Sequence, residues 1–115
     1  MYVNDGKPAY TYNWFGLERF TVESPVAISG DKANIRLTFK YDGGGIGKGG
    51  TATLFVDGKQ VAEGRVERTQ PAVFSADETA DVGVDDATQV VEELFKDRDA
   101  SEFTGHVDKV TITVE

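Results

Sequence analysis

The chain of 115 residues carries 20 acidic and 12 basic side chains, one histidine and no cysteine, for a formal net charge of -8. Missing cysteine excludes disulfides, thiolate metal sites and a cysteine nucleophile, and an acidic chain without a basic patch is a poor match to phosphate backbones, so nucleic acid is not an expected partner. No apolar run approaches the ~20 residues of a membrane span, and Met1-Tyr2-Val3-Asn4-Asp5 lacks the basic-then-apolar order of a leader, so neither a membrane partner nor an address is expected.

The composition favours strands. Fourteen Val, four Ile and eleven Thr stand against four Leu, and β-branched side chains suit a pleated, half-buried surface better than a helix. In chain order, Tyr10–Phe15 and Arg19–Val22 read as strands around a turn at Gly16. Asn34–Tyr41 alternates Ile35, Leu37, Phe39 and Tyr41 on one face with Arg36, Thr38 and Lys40 on the other, which predicts a strand with one side buried. Six glycines between Gly43 and Gly50 predict a wide inter-strand loop. Thr51–Val56 then places Ala52, Leu54 and Val56 inward, Asp57-Gly58 supplies a type I′ turn, and Lys59–Arg65 returns as the second arm of a hairpin.

Residues 77 to 102 hold ten acids and two bases, so the whole net charge falls in one stretch. Within it Val90-Val91 and Leu94-Phe95 permit at most one short helix, near residues 88–96. At the end, Phe103, Gly105 and Val107 occupy odd positions whereas Val110, Ile112 and Val114 occupy even ones, predicting a last strand bent or bulged near Asp108. The expected fold is all-β: a single domain over residues 1–115, built as a two-sheet antiparallel β-sandwich of jelly-roll type.

Several motifs have the outline of chemistry. Gly45-x-Gly47-x-x-Gly50 has dinucleotide spacing, but a strand follows it where a helix N-terminus would have to meet the pyrophosphate, and Gly49 stands where a phosphate loop needs Ser or Thr. Asp77, Glu78 and Asp81 are weak candidates for a cation site, because Val82 stands where the calcium loop requires Gly; solvated loop charge is the favoured reading. His106 has Asp108 two residues on, and none of the four serines lies in G-x-S-x-G, so no catalytic residue is assigned. Trp14, with Tyr10 and Tyr12 on its face, is either a core residue or part of an aromatic surface for a ligand. Asn13 and Phe15 fall on the opposite face, and with Trp14 and Arg19 they form the candidate ligand- or partner-facing group.

Taken together, these residues resemble a family. The run from Tyr41 through the glycines to Thr51, followed by Leu54-Phe55-Val56-Asp57-Gly58-Lys59 and Val61–Arg65, is similar to the C-terminal accessory region of large bacterial type I arylsulfatases. The similarity continues through Phe74–Thr79, Asp81-Val82-Gly83 and Phe103–Ile112, and Tyr12–Arg19 resembles the start of the same region. The end pattern from Phe103 to Ile112 also resembles the last strand of concanavalin-like and laminin-G-like sandwiches.

The resemblance implies an accessory role. In that family, sulfate esters are hydrolysed by a formylglycine made from Cys or Ser in C/S-x-P-x-R, beside a calcium ion held by the catalytic domain. This chain has no such motif, because the residues two past its serines are Val26, Asp31, Asp77 and Phe103. It is therefore expected to be no enzyme itself but a domain packing on a sulfatase catalytic domain in cis, which would own the formylglycine and calcium. Self-association is expected when that partner is missing, through a face including Asn13 and Phe15. A stand-alone carbohydrate-binding module is the alternative.

Overall fold

The computed structural model describes residues 1–71, 82–83, 90–91, 93–94 and 101–114. The chain divides into two compact units, Met1–Phe74 and Ser75–Glu115. The first unit holds six strands: β1 (Tyr2–Asn4), β2 (Lys7–Trp14), β3 (Glu18–Glu23), β4 (Ile35–Tyr41), β5 (Lys48–Val56) and β6 (Lys59–Arg68). They form two antiparallel three-stranded sheets, ordered β1-β2-β3 and β4-β5-β6. The protein is all-β in these elements, and each sheet is a meander of sequence neighbours.

Tight turns dictate that topology. Asp5-Gly6, Phe15-Gly16 and Asp57-Gly58 all have positive φ at both residues, at 50°/74°, 53°/70° and 50°/82°. This left-handed pair matches the right-handed twist of the strands it joins. The Asp57-Gly58 hairpin stands where the sequence puts it, with Val56 paired to Lys59. Asp5-Gly6 joins β1 to β2 by the same chemistry, pairing Asn4 with Lys7, although the short Tyr2–Asn4 run offers too little alternation to announce a strand.

The core lies between the two sheets. Tyr10 pairs with Val22 across β2 and β3, and Leu37 with Leu54 across β4 and β5. Val22, Ala52 and Leu54 are buried as one cluster, with Tyr10, Leu37, Val61 and Ala62 packed on it. At Gly64 a side-chain methyl would lie 2.5 Å from Val22 Cγ2, so the sheets approach there as closely as a bare backbone permits.

Three details depart from the sequence reading. First, β5 begins at Lys48, so Gly49 and Gly50 are buried strand residues and not loop. A Cβ on Gly50 would meet Phe39 Cζ at 2.5 Å and the Lys40 carbonyl at 2.7 Å. The shortened loop is clasped by Tyr41, whose hydroxyl donates to the Gly45 carbonyl at 2.5 Å and accepts from the Lys48 amide at 2.9 Å. Second, β4 alternates as predicted, yet Phe39 and Tyr41 remain 40% and 41% exposed. The sheets meet chiefly through β3 on β6 and through β2 and β3 on β5, and β4 is an outer strand of its sheet among the described residues. Third, the irregular pairing lies at Leu54/Phe55 against β6, and not near Asp108.

The second unit is described in part. Thr104–Val114 contains no strand: these residues are exposed coil, with Ile112 and Val114 at 83% and 90%. Alternation alone cannot make a strand, because an extended segment needs a ladder partner for its backbone groups. Among the described residues, Phe103 donates its amide to the Gly83 carbonyl at 2.6 Å, and Leu94 closes a turn onto the Val91 carbonyl at 3.1 Å. Most of the short helix expected near residues 88–96 falls outside the described residues.

Candidate functional site

The β2–β3 end of the first unit carries the candidate residues Asn13, Trp14, Phe15 and Arg19. Strand periodicity separates them. Trp14 shares the inner face of its sheet with Tyr10 and Tyr12, whereas Asn13 stands directly opposite Arg19 on the outer face. Phe15 leaves the strand at the turn, with φ of 53°.

Trp14 is half-buried and held on several sides. Its indole Nε1–H donates to the Thr69 carbonyl at 3.3 Å. The Arg68 guanidinium lies 5.5 Å from its ring centroid, within cation–π range, and Arg68 pairs with Glu18 at 3.0 Å. Tyr12 acts in parallel, its hydroxyl accepting the Gln70 amide at 2.8 Å. Thr69 also donates from Oγ1 to the Lys48 carbonyl at 2.6 Å. The exit of β6 is thereby tied to β2 in one sheet and β5 in the other.

The outer face is polar. Tyr2, Thr11 and Thr21 form a hydroxyl chain, with Tyr2 Oη 3.1 Å from Thr11 Oγ1 and Thr11 Oγ1 2.8 Å from Thr21 Oγ1. Asn13 belongs to this side, and its Oδ1 accepts the Gly16 amide at 2.7 Å, closing the turn. On the connecting loops Phe15 (51%), Leu17 and Ile46 (both 74%) expose apolar surface. Phe15 meets Trp14 edge-on, with centroids 5.2 Å apart and planes at 72°.

Elsewhere the chemistry-bearing groups are occupied or dispersed. Ser24 is buried, and its hydroxyl donates to the Val26 carbonyl at 2.7 Å. It borders an open cleft of about 340 Å³ whose apolar lining includes Val26, Ile28, Val56 and Val61. His106 Nε2 lies 3.0 Å from an Asp108 carboxylate oxygen, with both side chains exposed. Asp42 receives a bidentate pair from Arg65 at 2.6 and 3.0 Å, and that hydrogen-bonded guanidinium holds its carboxyl below the ordinary aspartate range. No cluster of three metal-ligating side chains occurs among the described residues. Asp77, Glu78 and Asp81 lie outside them.

Sequence reasoning missed the Thr69–Gln70 junction. Its contacts run through main-chain atoms some 55 residues away from Trp14, and the only signal was the pair of inward polar aromatics, each requiring a partner for its N–H or O–H. In comparisons with known proteins the chain matches no family, no curated protein and no solved structure.

Proposed function

We propose that the chain is a non-catalytic accessory domain that packs on the catalytic domain of a sulfatase, a sulfuric ester hydrolase, in cis. The observation carrying this reading is the Tyr41–Lys59 run and its resemblance to the arylsulfatase C-terminal region. Its distinctive residues have packing and turn roles: Gly49 and Gly50 give β5 its close contacts, Tyr41 clasps the loop, and Gly58 turns the hairpin. Such roles suit a supporting module. The committed Ser24 hydroxyl and the exposed, dispersed His106 support the same reading.

In this reading the sandwich is of the concanavalin or laminin-G kind, and formylglycine, calcium and the sulfate ester all belong to the partner domain. The isolated chain is expected to leave aryl sulfates unhydrolysed and to bind a separately produced sulfatase catalytic domain. Turnover by the purified chain, or failure to bind such a domain in calorimetry, overturns it.

A carbohydrate-binding role is favoured by one observation, the exposed Phe15 ring braced edge-on by Trp14. Glycan-array binding lost in Phe15→Ala, without loss of fold, would establish that role. A blank array removes it.

A further inference from the structure

We propose that Asp5 is a site of spontaneous chemical modification, converting to isoaspartate through a cyclic imide with Gly6, and that the conversion releases β1 from its sheet. Three Asp-Gly pairs occur in the chain, Asp5-Gly6, Asp42-Gly43 and Asp57-Gly58. Glycine after aspartate leaves the amide nitrogen unhindered by a side chain, so all three pairs have the reactive sequence. The reaction is an intramolecular displacement. The Gly6 amide nitrogen bonds to Asp5 Cγ, and the carboxyl hydroxyl departs with the amide proton as water. Solvent water then opens the imide. Attack at the side-chain carbonyl restores aspartate; attack at the main-chain carbonyl leaves the chain running through Cβ, with one more carbon in the backbone and no net change in atoms.

The fold guards two of the pairs. The neutral carboxyl is the reactive form, because its hydroxyl leaves as water, and the side chain must swing onto the next amide nitrogen. Asp42 is fixed by two hydrogen bonds from Arg65 at 2.6 and 3.0 Å, and that guanidinium holds its carboxyl below the ordinary aspartate range. Asp57 accepts the Asn34 amide on Oδ1 at 2.9 Å and donates its own amide to the Asn34 carbonyl at 2.8 Å. Its turn also joins the longest strands of the unit, β5 and β6, of nine and ten residues.

Asp5 has neither protection. It is exposed, and among the described residues no side chain or amide engages its carboxylate. Ring closure fixes the torsion about the Asp5 Cα–C bond at a value foreign to a left-handed residue, so the turn, with φ of 50° at Asp5, has to relax first. That relaxation is easiest here, because the turn is held on one side by only the three residues Tyr2–Asn4, which pair with β2 and with no other strand among the described residues. The same shortness sets the consequence. A two-residue turn fixes the register of its hairpin, so an added backbone carbon misplaces Asn4 against Lys7 and Tyr2 against Ala9. The contact of Tyr2 Oη with Thr11 Oγ1 at 3.1 Å goes with them.

The test is to incubate the full chain at mildly acidic pH and map it with an endoprotease that cleaves before aspartate but not before isoaspartate. Isoaspartate is expected to accumulate at Asp5 at least about tenfold faster than at Asp42 or Asp57. In guanidinium chloride the three rates should converge, and Arg65→Gln should raise the Asp42 rate several-fold while leaving that of Asp5 unchanged. In the converted fraction, amide hydrogen exchange should show protection lost in Tyr2–Asn4 and retained in β4, β5 and β6. Asp42 or Asp57 reacting as fast as Asp5 in the folded chain, the same ranking persisting in denaturant, an Asp42 rate indifferent to Arg65→Gln, or β1 keeping its protection after conversion overturns the proposal.

Discussion

Gly50 shows how a residue that reads as loop from its neighbours is fixed by contact. Its strand backbone needs no unusual conformation, but Phe39 and the Lys40 carbonyl occupy the space of a side chain. Gly50→Ala should therefore lower stability by about 1–3 kcal/mol through overpacking, seen as a shifted urea midpoint with an unchanged slope. Tyr10 reports the core in another way. Burial first, and the neighbouring Tyr12 second, push its phenol above the ordinary tyrosine value. The neutral form is thus the one the fold accepts, so this contribution is full below about pH 10 and is lost as pH rises through the folded value. Tyr10→Phe should flatten the alkaline fall in melting temperature; an identical fall in parent and variant would contradict it. The Asp42–Arg65 pair has good geometry, but its exposure limits what it adds to stability.

At the scale of elements, hairpins were the most legible features because their chemistry is local. Asp57-Gly58 needs only two residues able to hold positive φ, and the flanking alternation sets the register. Open space surrounds Gly58, so Gly58→Ala tests backbone conformation alone, with φ of 82° as the obstacle. The expected cost is roughly 1–2 kcal/mol, measured by chemical denaturation; a stability equal to the parent's would show that the turn relaxes into another type. The same signal at Asp5-Gly6 was present, but three residues of β1 gave it no pattern to flank. β4 and the last segment mark the limit of periodicity. Both alternate cleanly, yet β4 is a strand with an uncovered end and Thr104–Val114 is not a strand. Alternation states which side chains share a face if the chain is extended; whether a neighbouring strand or second layer is present is a separate matter.

For the whole molecule, charge and fold divide differently along the chain. The six strands lie in Met1–Phe74, where acids and bases nearly balance, and the net negative charge comes from residues 75–115. The candidate group of Asn13, Trp14, Phe15 and Arg19 was only partly readable. Parity assigned Asn13 and Trp14 to opposite faces correctly, but could not say that Trp14 would anchor the end of β6 or that Asn13 would close a turn. By itself the sequence determined the all-β class, the hairpins and the facing of side chains within strands, because turn conformation and a two-residue period depend on neighbours along the chain. Tertiary structure alone decided which face was covered, why Gly49 and Gly50 must be glycine and where Trp14 finds its acceptor. Those outcomes depend on backbone brought close from distant positions, and no local pattern carries that information.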